Sequence, residues 1–152
     1  MLEVGTRAPD LRLPDQHGRL VDLSGFHGAK NVVLFFYPMA DTRVCTLEAC
    51  AFRDALPDLD ARDFVVVGIS RDGMEAQQAF AERWSLPFSL LSDAHGKARR
   101  AYRVDRFFGL LPGRVTYVID REGIIRAAYR NLFEAEGHVS QALKALGDQG
   151  SR

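Results

Sequence analysis

Cys45 and Cys50 are the residues of this sequence best suited to chemistry, and they are its only two thiols. They stand in the stretch Phe35-Phe36-Tyr37-Pro38-Met39-Ala40-Asp41-Thr42-Arg43-Val44-Cys45-Thr46-Leu47-Glu48-Ala49-Cys50. An apolar strand is expected to end at Tyr37. Pro38 lacks the N–H that would continue a strand ladder, so it forces a loop. Asp41 and Thr42 can each cap a helix, which puts Cys45 in that helix's first turn. There the backbone N–H groups without intrahelical partners and the positive end of the helix dipole favour an anion. A thiolate is such an anion, and cysteines at helix N-termini titrate at ~3.5–7.5 where a free cysteine titrates near ~8.5. Arg43 and Arg53 add positive charge to the neighbourhood. The competing explanation is packing: cysteine is among the most often buried residue types, so both can be small core residues. Zinc fits less well, because the CxxxxC spacing is not that of a zinc knuckle and no histidine pair follows. A CxxC pair of the thioredoxin type is absent.

The elements that must position these thiols alternate between strand and helix patterns. Leu11-Arg12-Leu13 and Leu20-Val21-Asp22-Leu23 flank the turn-like Pro14-Asp15-Gln16-His17-Gly18 and predict a short hairpin. Asn31 to Tyr37 and Phe64 to Ser70 are continuous apolar runs, the pattern of strands covered on both faces. Between them, Thr42 to Leu59 reads as helix, with Pro57 marking a break. Gly73 to Trp84 reads as an amphipathic helix with Met74, Phe80 and Trp84 at buried positions. Phe88 to Leu91 is a short strand after Pro87, and Ala94 to Tyr102 a short helix. Val115 to Ile119 and Ile124 to Tyr129 are strands joined by the turn Asp120-Arg121-Glu122-Gly123. Glu134 to Leu146 closes the chain as a helix that ends at Gly147, with a frayed Gly150-Ser151-Arg152 tail. This order predicts one α/β domain over residues 1–152, with helices on both faces of a mixed sheet whose last two strands pair antiparallel.

Composition narrows the function classes. At 152 residues and 47% hydrophobic content, the chain can bury roughly 70% of its unfolded surface without a staple. Lys+Arg and Asp+Glu balance at 20 each, so no basic field points to nucleic acid. The longest apolar run, Val32 to Tyr37, is far too short to span a bilayer. The N-terminus, Met1-Leu2-Glu3-Val4-Gly5-Thr6, has no basic segment leading into an apolar run. These features predict a cytoplasmic protein with no membrane or nucleic-acid partner. In a reducing compartment structural disulfides are rare, so two nearby thiols invite a redox reading.

Pro38-x-x-x-Thr42-x-x-Cys45 matches the PxxxTxxC signature of the peroxiredoxins, and Cys45-Thr46-x-Glu48-Ala49-Cys50-x-Phe52-Arg53-Asp54 resembles their Q-type, bacterioferritin-comigratory-protein-like subgroup within the alkyl hydroperoxide reductase/thiol-specific antioxidant family. Gly5-x-x-Ala8-Pro9-Asp10, Leu86-Pro87-Phe88-x-Leu90-Leu91-Ser92-Asp93 and Arg114-Val115-Thr116-Tyr117-Val118-Ile119-Asp120 resemble further family segments in the right order. The resemblance implies an α/β thioredoxin-like fold with an N-terminal β-hairpin extension and a mixed central sheet flanked by helices. It implies that Cys45 is the peroxidatic cysteine, Pro38 its shield, Thr42 a hydroxyl offered to peroxide and thiolate, and Arg114 a cation reaching the same pocket. Glu48 would orient Arg114, and Cys50 would be the resolving cysteine. Taken singly, Pro38 only ends a strand, Thr42 only caps a helix, and Arg114 and Glu48 are solvated. The chain departs from the subgroup at Arg43-Val44, where many members have Pro-Gly. These bulkier side chains bear on access and loop flexibility.

The implied activity is reduction of hydrogen peroxide and organic hydroperoxides, with sulfenic acid formed on Cys45 and no metal, flavin or haem required. On an intact helix, residues five apart have Cα atoms ~8.6 Å from one another, beyond the ~7 Å limit for a disulfide. A Cys45–Cys50 bond, which the resemblance implies, therefore requires the first turns to unwind. The implied reductant is thioredoxin or a similar dithiol, and the implied assembly a monomer or weak homodimer. Three rival readings stay open: a one-cysteine peroxidase with an external resolving thiol, a non-catalytic redox sensor, and a general disulfide oxidoreductase.

Overall fold

The computed structural model describes residues 1–104 and 114–130. A five-stranded sheet dominates it, in the order β5-β4-β3-β6-β7. The central strand β3 (Asn31–Phe36) is buried at every position. Its side chains alternate between faces, as a pleated strand requires. Val33 and Phe35 enter one apolar cluster, and Val32, Leu34 and Phe36 enter the other. β4 (Phe64–Ser70) runs parallel to β3, and β5 (Ser89–Ser92) parallel to β4. β6 (Val115–Ile119) and β7 (Ile125–Arg130) complete the other side as an antiparallel pair, with β6 antiparallel to β3. The sheet is mixed, as the sequence predicts.

The first face is covered by α1 (Arg43–Ala61), through Cys45, Ala49, Phe52 and Leu59, and by α2 (Met74–Trp84), through Phe80 and Ala81. The second face is covered by Ala98 of the short α3 (Lys97–Ala101), by Tyr102 and Val104, and by the chain around Ala8 and Leu11. The hairpin of β1 (Arg12–Pro14) and β2 (Leu20–Asp22) forms a separate two-stranded sheet. Its turn docks on the outer edge of β5. The Gln16 amide donates to the Phe88 carbonyl at 3.1 Å and accepts from Leu90 N at 2.9 Å, pairing an edge that would otherwise invite another chain.

Two expectations are corrected. Pro57 does not break α1, which runs through it to Ala61. Proline in a helix interior costs about 3 kcal/mol, but full burial of Phe52 and Leu59 on either side contributes about 1.5–3 kcal/mol each, enough to keep the helix continuous through it. Met74 is not buried; it is 45% exposed at the first position of α2, outside the stripe that meets the sheet. Phe80 is buried, and Trp84 is half-buried against the first cluster. The helix expected over Glu134 to Leu146, its Gly147 stop and the tail lie outside the described residues.

Gly68 makes the contact between β3 and α1 possible. A Cβ there would lie 2.8 Å from Phe35 Cζ and 2.9 Å from Leu90 Cδ2. Phe35 in turn stacks on Phe52 of α1 with ring centroids 4.9 Å apart. Gly68→Ala is expected to destabilise the fold by about 1–3 kcal/mol through overpacking, read as a lower urea midpoint. An unchanged midpoint would show that the aromatic layer yields without cost.

Candidate active site

Strand register brings distant residues to the C-terminal end of β3. β3 and β6 pair antiparallel with Phe36 opposite Val115, so Tyr37 and Arg114, one residue beyond, lie at the same end of the sheet. From Tyr37 the chain turns through Pro38 into the loop that starts α1. Thr42 is the N-cap in extended conformation, and its carbonyl accepts from Thr46 N at 2.8 Å. Cys45 is the third residue of α1. Its own first-turn position leaves neighbouring N–H groups without i−4 carbonyls.

Arg114 joins two residues one helical turn apart. Its Nη2 donates to Cys45 Sγ at 3.1 Å and its Nη1 to Glu48 Oε1 at 2.8 Å. Cys45 and Glu48 are spaced i, i+3 and so share one helix face. All three are buried: Cys45 is 1%, Arg114 2% and Glu48 0% exposed. Burial pushes the Glu48 carboxyl up to about 7, against the opposing pull of Arg114. Burial also works against the Arg114 charge, but Glu48 and Cys45 together hold the guanidinium above its ordinary value. Arg114 Nε is buried with no hydrogen-bond partner among the described residues. The result is a cation fixed beside a sulfur in an apolar setting, where it can stabilise charge that develops on or next to that sulfur.

The remaining predicted residues fall around this centre. Pro38 is half-buried at the head of the loop. Thr42 is exposed; its hydroxyl donates to the Met39 carbonyl at 2.8 Å and accepts from no helix N–H. Its oxygen lone pairs are left to accept. Asp41 does not cap α1; its carboxylate turns outward to α2. Arg53 likewise adds no charge at Cys45. It pairs with Asp54 at 3.1 Å and donates to the Trp84 carbonyl at 2.6 Å. Arg43 is exposed. Cys50 is half-buried on the same helix as Cys45, and both are free thiols. Burial pushes the Cys50 thiol up from its ordinary value, with Arg53 pulling the other way.

One polar network went unread in the sequence. The Tyr37 hydroxyl donates to Gln77 Oε1. Gln77 Nε2 donates to Ser70 Oγ at 3.0 Å and to the Leu91 carbonyl at 2.9 Å. Ser70 Oγ donates to Asp72 Oδ2 at 2.6 Å, and that oxygen also accepts from Ala40 N at 2.8 Å. The chain of bonds returns to the loop it started from and fixes residues 37–40. Burial holds the Tyr37 phenol well above its ordinary value, so it remains a donor. The available signal was Gln77, a polar residue at the core-facing position three before Phe80. No group of three or more potential metal ligands gathers among the described residues, and no described helix is long and apolar enough to cross a membrane.

A profile of the AhpC/TSA family matches residues 4–128. The chain belongs to this family. Its relatives place it with the Q-type peroxiredoxins. The chloroplastic peroxiredoxin Q of Sedum lineare is 46% identical over 93% of this chain and 76% of its own length. That of Triticum aestivum is 44% identical over 93% of this chain and 65% of its own length. Among solved structures, peroxidoxin BcpB of Mycobacterium tuberculosis superposes with TM-score 0.90 at 36% identity, covering 97% of this chain and 98% of that one. The bacterioferritin comigratory protein of Xanthomonas campestris, studied for alkyl peroxide reduction in trapped intermediate/ligand complexes, gives TM-score 0.86 at 28% identity, covering 98% of each chain. The fold is thus the thioredoxin fold of the peroxiredoxins, and the activity is that of a thiol-dependent peroxidase. The cytoplasmic expectation is overturned by the plant relatives, which are chloroplastic. Compartment is written in addressing segments that leave a folded domain's composition unchanged, so that composition was no guide to it.

Proposed function

We propose that Cys45 is the peroxidatic nucleophile of a hydroperoxide reductase and that Cys50 resolves it within the same chain. The observation that carries this is the Arg114 Nη2–Cys45 Sγ hydrogen bond of 3.1 Å inside a buried site. The Cys45 thiolate attacks one peroxide oxygen. The O–O bond breaks, the S–O bond forms, and the second oxygen leaves as water or alcohol once protonated. Sulfur is oxidised to sulfenic acid and the peroxide is reduced. Arg114 stabilises the negative charge as it passes from sulfur to the leaving oxygen, and its Nε is a donor available to the peroxide. The Thr42 oxygen accepts from the peroxide, and Pro38 limits water at the sulfur. Glu48 holds Arg114 in place.

Condensation with Cys50 then forms the Cys45–Cys50 disulfide and releases water. Unwinding of the first turns of α1 lets the sulfurs approach and relieves the burial that raises the Cys50 thiol. A dithiol reductant of the thioredoxin type takes the two electrons needed from its own sulfurs and restores both thiols. The substrates are hydrogen peroxide and organic hydroperoxides, and residues 1–152 act as one domain.

Cys50→Ser tests the resolving step. The first oxidation of Cys45 is expected to remain fast, the sulfenic acid to persist, and excess peroxide to drive it to sulfinic acid. Turnover with thioredoxin, its reductase and NADPH is expected to fall at least about tenfold, since condensation within one chain gains effective concentration that an outside thiol lacks. Mass spectrometry of the oxidised wild type decides the pairing. An intermolecular Cys45–Cys45 bond, or a stable sulfenic acid beside a free Cys50, would make the protein a one-cysteine peroxidase.

A further inference from the structure

The end of α2 holds both sides of the segment that has to unwind. Asp41 immediately precedes the N-cap of α1, and the indole Nε1–H of Trp84 donates to its Oδ1 at 3.0 Å. Arg83 Nη1 lies 3.7 Å from the same oxygen, and its guanidinium sits 5.4 Å over the Trp84 ring. Beyond Cys50, Arg53 Nη1 donates to the Trp84 carbonyl at 2.6 Å. Residues 42–52, which include Cys45 and Cys50, therefore run between two attachments to one turn of α2.

Apart from Cys45, which is buried and bonded to Arg114, the first turn of α1 has little else to hold it. Arg43 and Leu47 are exposed and Val44 and Thr46 half-buried, so Cys45 is the fully buried residue there. Few buried contacts mean a low local opening energy. Nor does backbone preference keep Asp41 in place. It adopts φ +61°, a left-handed conformation that is costly for most L residues and tolerated by Asp and Asn when their side chains are hydrogen-bonded. Its side-chain bond to α2 helps to hold it. Upstream, Ala40 is fixed separately through Asp72, so residues from 41 onward can release while residues 37–40 stay in place.

We infer that Asp41 and Trp84 form a clasp that sets how often the first turns of α1 open, and thereby how oxidised Cys45 divides between two fates. Asp41 and Trp84 are positioning residues, acting through the helix and not on the peroxide. In one fate Cys45 sulfenic acid condenses with the Cys50 thiol, giving disulfide and water. In the other it is oxidised by a second hydroperoxide to sulfinic acid, giving water or alcohol. The first requires the open helix and the second does not. A looser clasp favours the disulfide. This division rests on the assignment of Cys45 and Cys50 made above; the hold of the clasp on the helix does not.

Trp84→Phe keeps the ring against the apolar cluster and removes the donor. Asp41→Ala removes the acceptor, and Asp41→Asn keeps an acceptor and tolerates the left-handed backbone. Hydrogen exchange of the reduced protein, read by mass spectrometry, is expected to quicken about threefold at residues 43–50 in Trp84→Phe and Asp41→Ala, the scale of one partly exposed hydrogen bond. β4 is expected to be unchanged, and Asp41→Asn to exchange close to wild type. After a peroxide pulse and acid quench, the same two variants are expected to form the Cys45–Cys50 bond about threefold faster and to accumulate less sulfinic acid, with the first oxidation of Cys45 at the wild-type rate. Trp84 is the only tryptophan, so its emission follows the clasp directly in the Asp41 variants. Exchange at residues 43–50 no faster than wild type in both variants overturns the clasp. Faster exchange with an unchanged division between disulfide and sulfinic acid overturns its role in the division. Variants that exchange as stated beside a wild type that forms no Cys45–Cys50 bond overturn that role too, through the resolving assignment, and leave the clasp standing.

Discussion

Cys45→Ser is expected to abolish hydroperoxide reduction while leaving the fold intact. Serine is nearly isosteric with cysteine, and at 1% exposure the site admits little else. Its hydroxyl can accept from Arg114 in place of the sulfur, so the buried guanidinium keeps both side-chain acceptors. The stability change is therefore small, about 1 kcal/mol or less, the scale on which one hydrogen bond exchanges for another. The chemistry does not survive the exchange. An alcohol near pH 7 has almost no anion, and oxygen cannot take the peroxide oxygen and then pass it on as sulfenic acid does. Peroxide-dependent NADPH consumption with thioredoxin and its reductase is expected to fall to the background without enzyme, with near-wild-type circular dichroism and urea midpoint. Substantial turnover by the folded variant would remove Cys45 from the reaction and leave Cys50, the other thiol, to be tested in its place.

The contrast between Arg114 and Asp41 shows what was legible in the sequence. Arg114 was connected with Cys45 through the resemblance of its segment to the peroxiredoxins, and taken singly it reads as solvated; the physical reason for the contact is that each adjoins a strong apolar strand, and two central strands of one sheet bring their ends together. Once β3 and β6 pair with Phe36 opposite Val115, the contact follows. Glu48 likewise came with the resemblance, and its i, i+3 spacing from Cys45, which puts both on one helix face, is what lets one guanidinium reach both. Asp41 reads locally as a helix cap, a role any Asp before a helix can play, and nothing local shows that Trp84 competes for its carboxylate. Thr42 has the same history with Met39. Pro57 was misread because a proline's local cost is visible in sequence and the burial that outweighs it is not. Met74 was misread because periodicity counts a helix's first residue as part of a stripe that tertiary packing begins only later. Gln77 was the missed clue: a buried amide among apolar neighbours requires partners, and its partners fix the loop before Cys45.

Arg114→Ala is expected to slow the peroxide step by about 10²- to 10³-fold, the usual cost of removing one donor from a preorganised charge-stabilising site. Stopped-flow oxidation of Cys45 measures it. The same change also weakens the fold, and pH separates the two effects. Glu48 is buried, and its carboxyl stands at about 7 in the folded protein, above its ordinary 4.5. A carboxyl raised on folding binds more protons in the native than in the unfolded state, so its contribution to stability is fully present below the unfolded value and is lost as pH rises toward the folded one. Arg114 opposes that rise; without it the folded value climbs further, and the loss continues above pH ~7 where the wild type's has ended. The stability gap between wild type and Arg114→Ala is therefore expected to widen between pH ~7 and pH ~9 in urea titrations. Adding Glu48→Gln removes the carboxylate that burial penalises. In the double variant the widening with pH is expected to disappear while the peroxide step stays slow, because the guanidinium is still missing from the sulfur. Recovery of the rate along with the stability would show that Arg114 serves only to neutralise Glu48, and that the bond to Cys45 has no part in catalysis. A gap that does not widen would place the charge balance of the site on groups other than this pair.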